Sequence, residues 1–209
     1  MSNFTKARVS RSKLTVSFTE ATYRKAKPHL LKDFEQRCAY SLQHMDRVGY
    51  RCIEVDHFNP NLRGARRHNY SNLFPATRHC NGSKSDSWPD RKLRKLGVRF
   101  LDPTKDQDYG LHIFEDPNTH ELVGASPAGK YHILRCDLNA AHLVQERRDR
   151  AELNRLLDQY HVAARVPLGD LMDGSLVETA RTLRGIVATM IPPIPPPPGA
   201  GQGGAARWV

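Results

Sequence analysis

The segment Tyr50-Arg-Cys-Ile-Glu-Val-Asp56 places the tightest limit on what this chain can fold into. Its residues alternate between apolar and polar and include β-branched side chains, so it reads as a strand ending at Asp56-His57. Asn59-Pro60-Asn61 and Gly64 then mark a loop that carries Arg63, Arg66 and Arg67. A second short segment starts at Asn72-Leu-Phe, and Cys80-Asn-Gly-Ser-Lys84 leads into a short helix or turn ending by Trp88-Pro89. Upstream, Pro28 suits a first helical turn, and Leu30, Leu31 and Phe34 recur at helical spacing to about Arg37. Cys38-Ala-Tyr-Ser41 reads as a turn-like link, and residues 1–17 as an arm or a short strand.

Past Phe100 the composition changes. His112-Ile-Phe, Glu121-Leu-Val and Lys130-Tyr-His-Ile-Leu134 read as three short strands separated by Asp-Pro-Asn and Ser-Pro-Ala-Gly turns. Leu143, Val144, Leu153, Leu156, Leu157 and Tyr160 predict an amphipathic helix over about 139–160, and a further helix covers Glu178 to Met190. The proline and glycine run from Ile191 to the end is expected to be disordered. The chain thus divides into an arm (1–27), a basic core region (28–99), a strand-and-helix region (100–190) and a tail (191–209). The fold class is α+β.

Charge sharpens this division. The whole chain carries +10, but residues 1–99 hold 21 Lys+Arg against 8 Asp+Glu, a local +13, and the remainder holds 11 against 14, or −3. A single-sign field over one half suits a polyanion, since neutralising phosphates releases their counterions. Four cysteines in 209 residues are too few for a disulfide scaffold, no apolar run is long enough for a membrane span, and no apolar stretch follows the basic N-terminus. The expected setting is a reducing cytosol with no membrane partner.

Within 26 residues of the basic half stand Asp56-His57, Asn72-Leu73 and Cys80-Asn81 followed by Lys84. Singly, each has an ordinary structural role: Asp56 can cap a turn, His57 can be a backbone-satisfied histidine, and Asn81-Gly82 is a common turn dipeptide. As an ordered set they resemble the HNH endonuclease family, whose pattern is Asp-His, then Asn-Leu, then Cys-His or Cys-Asn with a nearby Lys. The match runs from Cys38 to about Pro89, roughly a quarter of the chain. The resemblance implies a nuclease core over 28–99 in which two strands and a helix hold the site. In it His57 is the general base, Asn72 fixes the loop and orients His57, and Asp56 and Asn81 hold one divalent cation, magnesium or manganese. Many HNH proteins also carry a structural zinc on two Cys-x-x-Cys knuckles. Here Ser41 and Thr77 stand at two of those four positions, beside Cys38 and Cys80. Two thiolates do not close a tetrahedral site, and the spacing does not require His44, Cys52 or His79 to substitute, so no structural zinc is expected.

Arg63, Arg66, Arg67, Arg78, Lys84, Arg91 and Lys92 surround the set and are the expected contacts to a DNA backbone, with no motif for reading bases. The order Phe100-Leu-Asp-Pro103, His112-Ile-Phe and Cys136-Asp-Leu-Asn139, with Leu143-Val144 and Arg147-Arg148, is similar to the C-terminal region of small HNH proteins of bacterial antiphage systems, including the nuclease subunit of Septu-type and some retron systems. That similarity covers about Leu30 to Leu157. It implies an effector nuclease of antiphage defence acting on DNA, with an ABC-type ATPase partner docked on the acidic second half. A nucleic-acid-binding adaptor on a degenerate HNH scaffold and a mobile-element nuclease remain as alternatives.

Overall fold

The structure, a computed structural model, describes residues 7–14, 17–164 and 174–199. It is α+β, with mostly short helices, two longer ones (Ala141–Ala164 and Gly174–Thr189) and two small antiparallel sheets among the described residues. In chain order the elements are α1 (Lys27–Asp33), α2 (Met45–Val48), β1 (Ile53–His57), β2 (Leu73–Thr77), α3 (Arg78–Lys84), α4 (Arg91–Lys95), β3 (Ile113–Glu115), β4 (Leu122–Gly124), α5 (Pro127–Arg135), α6 (Ala141–Ala164) and α7 (Gly174–Thr189). Among the described residues no helix is long and apolar enough to cross a membrane.

Pairing of β1 with β2 sets Ile53 opposite Thr77, Asp56 opposite Phe74 and His57 opposite Leu73. Pro75 cannot donate to a ladder. Its carbonyl instead accepts from Ala39 N at 2.7 Å, so the loop after α1 covers the free side of β2, every residue of which is buried. Thr77 then caps α3, its hydroxyl accepting from Cys80 N. Phe74 is a centre of the core: the rings of Phe34, Tyr40 and Phe58 lie 5.6, 6.5 and 4.7 Å from it, and the Arg11 guanidinium lies 4.4 Å from its centroid.

One hydrophobic cluster runs from Val9 to Ile194 across the composition change at residue 100. Polar ties cross it as well. Arg8 pairs with Asp108 at 2.8 Å, Tyr109 Oη donates to Tyr40 O at 2.5 Å, Leu101 N donates to His132 Nδ1 at 3.0 Å, and Gln43 Nε2 donates to Glu146 Oε2 at 2.8 Å. The N-terminal arm is docked through Arg8, Val9 and Arg11; it forms no strand over residues 7–14.

Two expectations are corrected here. Lys130–Leu134 is not a third strand of the second half but part of α5. Ser126 accepts from Gly129 N and Pro127 occupies the first turn, so a capped start overrides the β-like run Tyr-His-Ile-Leu. The proline run is also not a free tail over 191–197. Ile191, Ile194 and Pro197 are buried, a three-residue period that matches one face of a polyproline II helix. Prolines offer carbonyls and no N–H, and arginine meets the carbonyls: Arg150 Nη1 donates to Ile191 O and Pro192 O, while Arg37 reaches Ala188 O and Met190 O. Residues 200–209 lie outside the described residues.

Candidate active site

A cleft of about 280 Å³ opens where β1 meets α3, lined by Asp56, His57, Asn81, Arg67, Tyr23 and Asp86 among others. The hairpin supplies Asp56 and His57, and the first turns of α3 supply Asn81. Residues 58–72, the connection between the strands, are held by Asn72. Its Oδ1 accepts from Asn59 N at 2.9 Å, and its Nδ2 donates to Arg67 O at 2.9 Å and Asn59 O at 3.3 Å. One buried amide therefore ties both ends of the arginine-bearing loop and fixes the backbone next to His57.

His57 is half-buried. Its Nε2 lies 3.1 Å from Nδ1 of His68, whose Nε2 lies 3.1 Å from the Glu20 carboxylate. The Tyr23 ring packs against both imidazoles, 4.6 Å from His57 and 5.7 Å from His68. Burial, then the neighbouring Arg67 and His68, lower the His57 pKa to about 4. It is consequently neutral at neutral pH, with a lone pair available on one ring nitrogen. Nδ1 has no hydrogen-bond partner among the described residues.

Asp56 is buried, and its carboxylate accepts from the Tyr40 hydroxyl and from Lys84 Nζ, 2.9 Å from Oδ2 and 3.1 Å from Oδ1. Lys84 is 0% exposed, also donates to His57 O at 3.1 Å, and lies 5.5 Å from the Phe100 ring centroid. This corrects its expected role: Lys84 is an internal counterion, sealed from any DNA backbone. Asn81 Nδ2 donates to Glu54 Oε2 at 2.7 Å, which orients the amide and leaves Oδ1 without a hydrogen-bond partner among the described residues.

Of the remaining expected contacts, Arg63, Arg66, Arg78, Arg91 and Lys92 are exposed, and Arg67 lies at the cleft itself. Arg63 and Arg67 both donate to Pro60 O, and Arg78 pairs with Glu54 at 3.2 Å. Sequence reasoning missed Tyr40, Glu54, His68 and Glu20. A Tyr inside the Cys38–Ser41 link and a Glu two before Asp56 on an alternating strand were readable hints; nothing along the chain links Glu20 to His68.

Positions 38, 41, 77 and 80 do come together. Cys38 Sγ accepts from Ser41 N and Tyr40 N at 3.4 Å and from Thr77 N at 3.3 Å. Burial raises the Cys38 thiol pKa, but hydrogen bonds from Cys80, Ser41 and Thr77 outweigh it and bring the pKa below its ordinary value. The hydrogen bond to Cys38 and burial push Cys80 the other way. A buried knot of hydrogen bonds to sulfur thus joins the two turns.

No family model, curated protein or solved structure matches the chain. The functional reading rests on residues and geometry.

Proposed function

We propose that this protein is a metal-dependent HNH endonuclease that hydrolyses DNA phosphodiester bonds, the effector nuclease of a bacterial antiphage system. The observation that carries the reading is the convergence of Asp56, His57 and Asn81 on one cleft with Arg67 at its wall, over a loop braced by Asn72. Neutral His57 takes a proton from the attacking water at Nδ1, and Arg67 offsets charge on the phosphate. Exposed Arg63, Arg66, Arg78, Arg91 and Lys92 hold the duplex by its backbone.

The donor set fits a hard divalent cation, magnesium or manganese. Asp56 and Asn81 offer a carboxylate and an oriented amide oxygen on one cleft; Asp56 Oδ2 already meets Tyr40 and Lys84, but Oδ1 meets Lys84 alone and keeps lone-pair capacity. Among the described residues no three or more His, Cys, Asp or Glu side chains gather in a metal-holding group, so Asp56 and Asn81 would hold the ion with water and phosphate oxygens supplying its other ligands. Such an ion supplies charge stabilisation at the phosphate and leaving oxygens. The knuckle positions need no zinc in this reading, since the hydrogen-bonded knot around Cys38 joins the same turns. An ABC-type ATPase partner on the second half belongs to the same proposal and rests on the resemblance described above.

One observation favours the second reading, an adaptor on a degenerate scaffold: Lys84 already neutralises Asp56. Plasmid nicking separates the two. The nuclease nicks DNA with magnesium or manganese and not with chelator, and His57→Ala abolishes nicking while folding and DNA binding persist. Binding without cleavage under every metal condition establishes the adaptor instead.

A further inference from the structure

The endonuclease reading leaves open why His57 would present the correct nitrogen to water. An imidazole is a base only at the nitrogen that lacks the proton, and the tautomer follows from what the other nitrogen touches. Here that partner is a second histidine. A carboxylate accepts hydrogen bonds and cannot donate them when ionised, so Glu20 requires the proton of His68 on Nε2. His68 Nδ1 is then an acceptor, and His57 must place its proton on Nε2 to meet it. The lone pair of His57 is left on Nδ1. With both imidazoles neutral, the opposite assignment would set a bare His68 nitrogen against the carboxylate.

We infer that His68 is a positioning residue which, read by Glu20, locks His57 in the tautomer whose Nδ1 is the base. The inference rests on the endonuclease reading for its consequence, although the tautomer is a property of the free protein. Packing supports the lock: the Tyr23 ring contacts both imidazoles, and His68 is buried while Glu20, 77% exposed, closes the chain of contacts at the surface. When water yields its proton to Nδ1, the His57 imidazolium keeps its Nε2 proton hydrogen-bonded to His68, and the negative charge of Glu20 beyond it favours the cation as the reaction creates it.

The test uses the full-length protein with ring-¹⁵N-labelled histidine at neutral pH, without metal or DNA. His57 is assigned by loss of its signals in His57→Ala. The wild type should show a protonated Nε2 and a bare Nδ1 on His57, and His68→Leu should average the two nitrogens. Glu20→Ala, at an exposed position that leaves the fold intact, should move both histidines toward the average even if His68→Leu fails to fold. In nicking assays Glu20→Ala and His68→Leu should lower kcat with little change in KM, by about 10²-fold for His68→Leu. Neither change should add to His57→Ala. A wild-type His57 carrying its proton on Nδ1, or a tautomer unmoved in Glu20→Ala, overturns the inference. Absence of wild-type cleavage with either ion overturns the endonuclease reading instead, and the ¹⁵N pattern still decides the lock.

Discussion

Replacing Lys84 by Met distinguishes a buried counterion from a DNA contact. The ammonium is fully buried against Asp56 at 2.9 Å and also holds the His57 carbonyl. Met preserves most of the volume of the side chain and removes the charge, leaving the Asp56 carboxylate with Tyr40 alone. Breaking a buried ion pair from one side costs about 3–5 kcal/mol, because the remaining charge is uncompensated. For a chain of this size each kcal/mol moves the melting temperature by about 2–4 °C, so a drop of about 6–20 °C is expected. Adding Asp56→Asn removes the stranded charge and keeps an acceptor for Tyr40, so the double variant should recover much of the loss. Urea and thermal unfolding followed by circular dichroism measure all four corners of the cycle. The reasoning fails if Lys84→Met unfolds within about 0.5 kcal/mol of wild type, a surface-like effect, while DNA affinity falls and its salt dependence flattens. That result would place Lys84 on a phosphate.

Other perturbations read other parts of the structure. Asn72→Ala removes one accepted and two donated hydrogen bonds at a buried position, so a loss of about 1–3 kcal/mol in urea unfolding should accompany a loss of nicking. His132 is buried, and burial lowers its pKa from 6.5 to about 4 while its Nδ1 accepts from Leu101 N. A depressed histidine contributes stability above about pH 6.5 and loses it as pH falls to about 4, a change of about 3 kcal/mol. His132→Asn, whose amide oxygen can still accept, should flatten the stability–pH profile in that window. Gly129→Ala would bring a Cβ to 2.1 Å from the His112 carbonyl, so α5 must move off β3, and thermal unfolding should register the upper end of the about 1–3 kcal/mol typical of overpacking.

Much of the first half was legible because its signals are local. The alternation of residues 50–56 gives β1 with only the first turn misread, since Tyr50–Cys52 is a 3₁₀ turn. The helical spacing of Leu30, Leu31 and Phe34 and the position of Pro28 give α1. In the second half the run Tyr131-His-Ile-Leu134 has β character that the Ser126-Pro127 start overrode, a signal present in the sequence and outweighed in the reading. Lys84 was misjudged for a different reason: charge along a chain does not say which lysine faces a carboxylate 28 positions earlier. The same limit hid the pairs Tyr40–Asp56 and Glu20–His68, which join segments 16 and 48 positions apart along the chain. The proline run looked unable to pack because composition counts its missing donors and overlooks Arg37 and Arg150, distant cations that match its carbonyls.

Synthesis proceeds from the first residue to the last, and residues 53–86 of the cleft exist while more than half of the chain is still to come. The strap from Ala188 to Pro195, which satisfies Arg37, Arg150, Glu146 and the Glu115 amide, is made late. A product cut short before the strap would carry every side chain of the cleft and lack its clasp, leaving Arg37, Arg150 and Glu146 each short of partners and uncovering the apolar surface beneath Ile191 and Ile194. Such fragments unfold readily and are cleared by proteases. A chain with this cleft would then become durable only once translated through Pro195, a dependence written into the order of its residues.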